Sequence, residues 1–339
     1  MFYKVIIQGK FYFLNHNSYD KLVSVVLNRN QIYYKNEIIF KELEFFDHEN
    51  HMISVPRYVG NHTDKVWKNT VNLFENCAQF AVSGRILMWK IEEGKVLEHK
   101  EIEPSGSRSA VLNFQRAKDL IQNKGKELEA LTELSKSLEI YNSNALAYER
   151  RAVVNLMLNN YAEAKEDFEK SLNIDNSIPE SHLGLGRILM KEGDLENALK
   201  HYNYAIKTSI ALQSLHWQAR RAKAELHIKN EEWEEAEFEL KLLVTRNFDK
   251  TDPNYSRKKQ DIFNFGIVKY NQYLFDVALD LFEKSMSIPF GKDKIPDKDK
   301  YYYLGMSKRN LGKSGFIHDL NKSAELGNED AIYMLEEIL

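Results

Sequence analysis

One set of spacings recurs after residue 108 and limits what this chain can fold into. Ala152 is followed after 12 positions by Ala164, after 4 more by Phe168 and after 3 more by Ser171. Self-similarity of about 34 residues, with small residues where two helices cross and an aromatic ring beside them, is typical of a solenoid of helical hairpins. The same spacings link Gly186, Ala198, Tyr202 and Ala205; Ala224, Ala236, Leu240 and Leu243; Gly266, Ala278, Phe282 and Ser285; and, in weaker form, Lys118, Ala130, Leu134 and Ser137.

On these residues the chain resembles the tetratricopeptide-repeat (TPR) proteins. We expect an all-α TPR solenoid of about six hairpins over residues 110–339. The fourth and fifth repeats are longer than the first three because residues are inserted at 208–214 and 246–255, which hairpin junctions tolerate. The sixth repeat ends, over 322–331, like the related Sel1-like repeats, and the remaining residues are expected to form a capping helix.

The first hundred residues have a different pattern, with strand-like alternation of apolar residues, and predict a small α+β domain over 1–103. Its elements follow the order β-α-β-β-α-β with one further strand, which matches the split βαβ arrangement of ferredoxin-like domains. The segment 104–109, rich in Pro, Ser and Gly, is predicted to be the linker. Strands are expected at 2–14, 31–40, 52–59, 85–91 and 96–102, and helices after Asn17 or Ser18 and after Thr63.

Composition and charge exclude several classes of protein. The formal net charge of −3 gives no general attraction to nucleic acid or to anionic membranes. The single cysteine, Cys77, lies in an apolar helical pattern and is expected to be a buried structural thiol. The N-terminus lacks the features of a secretion signal, and no uncharged apolar run approaches the roughly 18 residues of a membrane span. We therefore expect a cytoplasmic protein without a membrane segment.

The resemblance also implies which side chains bind a partner. In TPR proteins the first helix of each hairpin lines a concave groove, and Glu149 and Leu183 are among the groove positions of the second and third repeats. Groove arginines and lysines are expected to bind an acidic or carboxylate-terminated segment of another protein, with aromatic residues adding contact area. Long charged side chains also simply solvate helical surfaces, and that alternative stays open. The expected partner-binding residues are Arg187, Lys191, Arg221, Lys229, Phe263, Tyr270, Tyr302 and Arg309.

The predicted function is that of a non-enzymatic adaptor or scaffold. The sequence holds no glycine-rich phosphate loop, no nucleophile elbow and no paired catalytic carboxylates. We therefore expect no catalytic residue, no metal and no cofactor. The outer helix of the fourth repeat, EEWEEAEFELK, is strongly acidic, in contrast to the basic groove positions.

Two other functions stay open. An RNA- or ribosome-associated factor would set basic residues of the third and fourth repeats against phosphates and stack bases on Tyr270 and Tyr302, although the third strand offers only Tyr58 and Arg57 for a stacking motif. An enzyme would carry its site in the first domain, among residues that also suit a solvated loop and a simple helix cap. The basic residues are Arg187, Lys191, Arg220, Arg221, Lys223 and Lys229, and the enzyme candidates are His48, His51, Arg57 and His62.

Overall fold

The computed structural model describes residues 1–289 and 295–338. Its first hundred residues form a five-stranded antiparallel sheet with two α-helices. The strands are β1 (Phe2–Tyr12), β2 (Phe46–Asp47), β3 (Met52–Thr63), β4 (Ser83–Glu92) and β5 (Lys95–Ile102), and the helices are α1 (His16–Arg29) and α2 (Asp64–Ala78).

The strand order β2-β3-β1-β4-β5 confirms the predicted topology. β3 lies between β1 and β2, and β1 lies between β3 and β4, so each helix connects two strands that are separated by a third. This is the split βαβ arrangement, with β5 added at the edge by a hairpin. Alternate residues of β1, including Val5 and Ile7, share one core with Trp67 and Phe74 of α2. Cys77 is fully buried in this core, as predicted.

Both helices begin at a side-chain cap. Asn15 caps α1 by accepting a hydrogen bond from the backbone N–H of Ser18, so the cap lies two or three residues before the predicted Asn17 or Ser18. Thr63 caps α2 as predicted, because its Oγ1 accepts from the backbone N–H of Val66. The chain enters α2 directly from β3, so this cap also marks the end of the strand.

The segment 31–40 is not the strand that the sequence predicted. The chain leaves α1 through a π-helical turn at Asn30–Tyr34, after which Lys35 and Asn36 take left-handed φ angles of 53° and 58°. The Tyr34 ring is buried, and its hydroxyl donates to Asn72 Oδ1 at 2.7 Å. The second strand is the two-residue β2 instead. Tyr34 and Phe40 therefore pack in the core without forming a strand, whereas Tyr33 is exposed.

Residues 104–109 lie against the end of α2. The backbone N–H of Ser105 donates to Ala78 O at 3.0 Å, and Arg108 Nη1 donates to Phe80 O at 2.5 Å. Contacts within the chain group its residues into two compact units, Met1–Gly184 and Leu185–Leu339. The division into domains at 1–103 and 110–339 stays a prediction, which protease cleavage at 104–109 tests.

Within the described residues after 108, thirteen α-helices form six hairpins and a last helix. Each hairpin joins two helices through a short turn, which confirms the predicted helical solenoid. The hairpins are α3 (Ser109–Ile121) with α4 (Glu127–Ile140), α5 (Ala145–Met157) with α6 (Tyr161–Ile174), α7 (Pro179–Glu192) with α8 (Leu195–Thr208), α9 (Ser214–Lys229) with α10 (Trp233–Thr245), α11 (Lys258–Asn271) with α12 (Phe275–Ser287), and α13 (Asp297–Asn310) with α14 (Phe316–Glu325); α15 (Glu329–Ile338) follows.

The recurring small residues lie where the two helices of a hairpin meet. A Cβ atom on Gly186 would come within 2.6 Å of Tyr202 Cε1, and one on Gly266 within 2.5 Å of Phe282 Cε1. Ala164 is fully buried at the corresponding place in the second hairpin. Any larger side chain at these positions would separate the helices, because protein interiors have no spare volume.

The first hairpin departs from the predicted spacing by one residue. Its small residue is Ala117, which is fully buried with Ala130 and Leu134, and not Lys118. The Lys118 ammonium pairs with the Glu103 carboxylate instead. The connection between α3 and α4 runs over 122–126 and is longer than the connection at 158–160 in the second hairpin, which accounts for the shift.

Candidate partner-binding site

A buried ion pair joins α9 and α11 in the second unit. Arg221 in α9 donates from Nε and Nη2 to the two carboxylate oxygens of Asp261 in α11, at 2.6 and 2.7 Å. Its Nη1 donates to Asn254 Oδ1 at 2.9 Å, and all three residues are buried. The guanidinium is thus satisfied inside the protein, which corrects the expectation that Arg221 contacts a partner.

Asn254 holds this ion pair in place. Its Nδ2 donates to the backbone oxygen of Ser214 at 3.0 Å and to Ser214 Oγ at 2.8 Å, at the start of α9. Asn254 belongs to the insertion that the sequence predicted only as a lengthened loop. The insertion instead supplies a buried hydrogen-bonding group and continues into a short 3₁₀ turn, Tyr255–Arg257.

Arg187, Glu225 and Arg257 surround the ion pair within electrostatic range. Neither Arg187 nor Arg257 has a side-chain hydrogen bond or ion pair with any other residue in 1–289 or 295–338. Three guanidinium groups therefore face two carboxylates, which leaves one positive charge in excess. Glu225 and Arg257 are half-buried, whereas Arg187 is exposed.

The surrounding protein shifts the pKa values of these groups. Desolvation lowers the pKa of Arg187, and the nearby charges of Arg221 and Arg257 act in the same direction, while Tyr202 and Glu225 oppose it. Desolvation also raises the pKa of Glu225, against the influence of the arginines. Both charged forms are thus less favourable here than in water, and an added anion would relieve the excess positive charge.

Phe263 does not reach the surface. It is fully buried, with its ring centroid 4.8 Å from that of Phe282 and 6.0 Å from that of Tyr303. A large aromatic ring gains more by burial in the hairpin core than by lining a surface. The expectation that Phe263 contacts a partner is therefore corrected.

Tyr270, Tyr302 and Arg309 form a partly accessible patch on α11 and α13. The two tyrosines pack with Met306 and Met334, and Arg309 Nη1 lies 3.8 Å from Met334 Sδ. Desolvation raises the pKa of Tyr302 to about 12, so both rings present neutral hydroxyl groups at physiological pH. The last two predicted residues, Lys191 and Lys229, are exposed near the ends of α7 and α9.

In the first unit, the sheet covers part of the surface that the resemblance assigned to a groove. β4 contacts α5, where Glu149 is only 1% exposed. Arg85 of β4 pairs with Glu180 of α7, and Lys10 Nζ of β1 lies 2.8 Å from Asp175 Oδ1. Glu149, a position that the resemblance assigned to the groove, is therefore buried where β4 meets α5, and ion pairs between acidic residues of the repeats and basic residues of the strands join the two parts.

Two of the candidate histidines of the first domain, His48 and His62, each contact a tyrosine hydroxyl. The Tyr58 hydroxyl lies 2.6 Å from His62 Nε2, and the Tyr58 ring packs on Phe40. The Tyr19 hydroxyl lies 3.1 Å from His48 Nδ1. Among the residues that the structure describes, no three His, Cys, Asp or Glu side chains are placed to hold a metal ion. None of the helices in the described ranges combines the length and apolar character that a membrane crossing requires.

Comparisons with known proteins agree with the helical architecture. No family model matches the chain. Human tetratricopeptide repeat protein 13 is 27% identical over 97 residues, which are 29% of this chain and only 11% of that protein. The structure of PilF from Pseudomonas aeruginosa matches 68% of this chain and 97% of its own with a TM-score of 0.54 at 14% identity.

A second solved structure, the type IV pilus biogenesis factor PilW, matches 68% of this chain and 100% of its own with a TM-score of 0.50 at 16% identity. At such identities the likeness concerns the fold alone. The helical part of the chain has the TPR fold. The likeness of residues 322–331 to Sel1-like repeats stays a prediction.

Proposed function

We propose that this protein is a non-enzymatic scaffold that holds a carboxylate-bearing segment of a partner protein at Arg187 and Arg257. The observation that carries the proposal is the pair of guanidinium groups without a hydrogen-bonding partner among the described residues, beside the Arg221–Asp261 ion pair. That ion pair and Asn254 join α9 to α11, which supports a segment carrying Arg257 that is ordered before a partner binds.

The chemistry of the site favours a carboxylate. Arginine presents planar donors that match the two oxygens of a carboxylate, and it has no acceptor that would suit a cation. Partial desolvation strengthens the attraction compared with bulk water. Lys191 and Lys229 are exposed and add longer-range attraction, while Tyr270, Tyr302 and Arg309 offer apolar and polar contact area for the rest of the segment.

The TPR fold supports a scaffold role, because the resemblance implies binding of protein segments. We propose that the protein acts in the cytoplasm, where the buried free thiol of Cys77 stays reduced. The proposal gives the arginines a binding role and assigns no catalytic residue.

The test compares two double variants of the full chain. Arg187→Gln with Arg257→Gln removes the proposed site, and Lys200→Gln with Lys284→Gln removes the same charge from exposed positions of α8 and α12. The probe is a fluorescein-labelled decapeptide of Gly, Ser, Leu and Phe that ends in Asp-Asp with a free carboxyl terminus. Its control ends in Asn-Asn-amide.

We expect the site variant to bind the acidic peptide at least about tenfold more weakly, or about 1.4 kcal/mol, and the control variant to bind it nearly as tightly as the unmodified chain. Equal binding of the amidated peptide would contradict the proposal. A single-stranded RNA whose binding falls steeply with salt and is lost in the site variant would assign the arginines to nucleic acid instead.

A further inference from the structure

The acidic helix of the fourth hairpin carries several carboxylates that form no ion pair within the described residues. Among the six glutamates of α10 and the turn before it, Glu231, Glu234 and Glu235 are exposed, and their side chains make no hydrogen bond or ion pair with the described residues. The other three are paired with side chains of neighbouring helices: Glu232 with the imidazole of His227, Glu237 with Lys269, and Glu239 with Arg220 and Lys223.

Glu234 and Glu235 line a pocket between α8 and α10 with a volume of about 360 Å³. Leu199 and Asn203 of α8 line it from the other side. Phe238, one turn after Glu234, also lines the pocket and leaves 62% of its surface exposed. Phenylalanine is usually buried, whereas this ring is exposed beside two unpaired carboxylates.

His227 of α9 adds an unused hydrogen-bonding atom to the same pocket. The side chain is only 4% exposed, and its Nδ1 lies 2.5 Å from Glu232 Oε2. A carboxylate partner requires the proton on Nδ1, so the neutral ring leaves Nε2 as an acceptor. Nε2 has no hydrogen-bond partner within the described chain. A buried acceptor without a donor is unfavourable, which points to a donor that a ligand supplies.

We propose that this pocket binds an arginine side chain of another protein. The available groups are two carboxylates, an imidazole acceptor and an aromatic face, and the nearby Lys223 is already paired with Glu239. A guanidinium matches all of them, because it carries five donors and no acceptor and stacks on aromatic rings. The pocket shares no residue with the carboxylate site at Arg187 and Arg257, so this inference does not depend on the proposed function.

The second hairpin contains the equivalent crevice without the distinguishing features. It lies between α4 and α6 and is lined by Glu163, Glu166 and Asn155. Glu166 takes the place of Phe238 and pairs with Lys170. Asn155 takes the place of His227, and its Nδ2 donates to Asp167 Oδ2. This crevice therefore offers a matched control with acidic residues but no exposed aromatic ring.

The test is a saturation-transfer NMR titration of the full chain with the peptide acetyl-Gly-Ser-Arg-Gly-Ser-amide. The control peptide carries citrulline, which keeps the shape of arginine and removes its charge. We expect Glu234→Gln with Glu235→Gln to weaken arginine-peptide binding about tenfold, and Phe238→Ala to weaken it about threefold. Glu163→Gln with Glu166→Gln removes the same charge from the control crevice and should change the affinity less than about twofold.

Circular dichroism of each variant verifies folding, which these exposed positions should not disturb. Two results would overturn the proposal. An equal loss of arginine-peptide affinity in the control variant would mean that the peptide is attracted by the overall negative charge of the outer helices and not by this pocket. Equal binding of the citrulline peptide would mean that the pocket does not recognise the cation.

Discussion

Arg85 Nη2 in β4 donates to both carboxylate oxygens of Glu180 in the first turn of α7, at 2.6 and 2.7 Å, and Arg85 Nη1 lies 3.0 Å from Glu101 Oε1. Within the first unit, this contact joins residues that lie 95 positions apart in the chain. The sheet is thereby attached to the repeat helices through charged groups that are largely removed from water.

We expect Arg85→Met to destabilise the protein by about 3 kcal/mol or more, because it leaves Glu180 without its hydrogen-bonded cation in a desolvated place. Urea unfolding at pH 7 measures the change. Lys126→Met is the control: its ion pair with Glu129 is exposed, and its loss should change the free energy of unfolding by less than about 1 kcal/mol. Equal effects of the two variants would show that the Arg85 contact is ordinary surface charge.

Glu149→Gln is expected to stabilise the protein at pH 7 by about 1 kcal/mol. Desolvation raises the pKa of Glu149 in the folded protein, so the folded state loses stability as pH rises from the pKa of the unfolded chain to the higher folded value. The amide removes that loss, and its advantage should therefore disappear near pH 4. Urea unfolding at both pH values tests this, with exposed Glu139→Gln as control. A gain in stability that is the same at both pH values would contradict the raised pKa of Glu149.

Arg221→Ala is expected to reduce the free energy of unfolding by about 3 to 5 kcal/mol, because Asp261 would remain as a buried carboxylate without its partner. Desolvation already raises the pKa of Asp261 despite Arg221, so acidification to pH 5 should recover part of the loss in the variant by protonating the carboxyl group. Arg187→Ala removes a guanidinium that makes no hydrogen bond or ion pair with the described residues and should change stability by less than about 0.5 kcal/mol. A comparable loss of unfolding free energy in both variants would mean that Arg187 stabilises the fold, which would contradict its proposed binding role.

Ala164→Trp is expected to destabilise the second hairpin by roughly 1 to 3 kcal/mol or more, because α5 and α6 meet at this fully buried position. The melting temperature measured by circular dichroism should fall accordingly. Ala162→Trp, at an exposed position of the same helix, should leave it nearly unchanged. If both substitutions were tolerated, the spacing of small residues would not mark the helix crossing.

The sequence correctly predicted those structural elements that depend on residues close together in the chain. Small residues 12 positions apart meet across one hairpin turn, so their spacing in the chain reflects the contact itself. The same holds for the cap at Thr63 and for the hairpin of β4 and β5. The prediction failed at 31–40, where Tyr34 and Phe40 reach the core through a π-helical turn and a loop. It also failed in the first hairpin, where the turn is longer and the small position is Ala117.

Only the tertiary structure decided which charges stay available to a partner. The sequence placed arginines on the first helices, but it did not show that Asp261, 40 residues after Arg221, would neutralise one of them while Arg187 stayed without a hydrogen bond among the described residues. It also did not show that Phe263 would be buried. Helical periodicity states which face a side chain takes, whereas the free energy of a charge or a ring depends on the distant residues that the fold brings against that face.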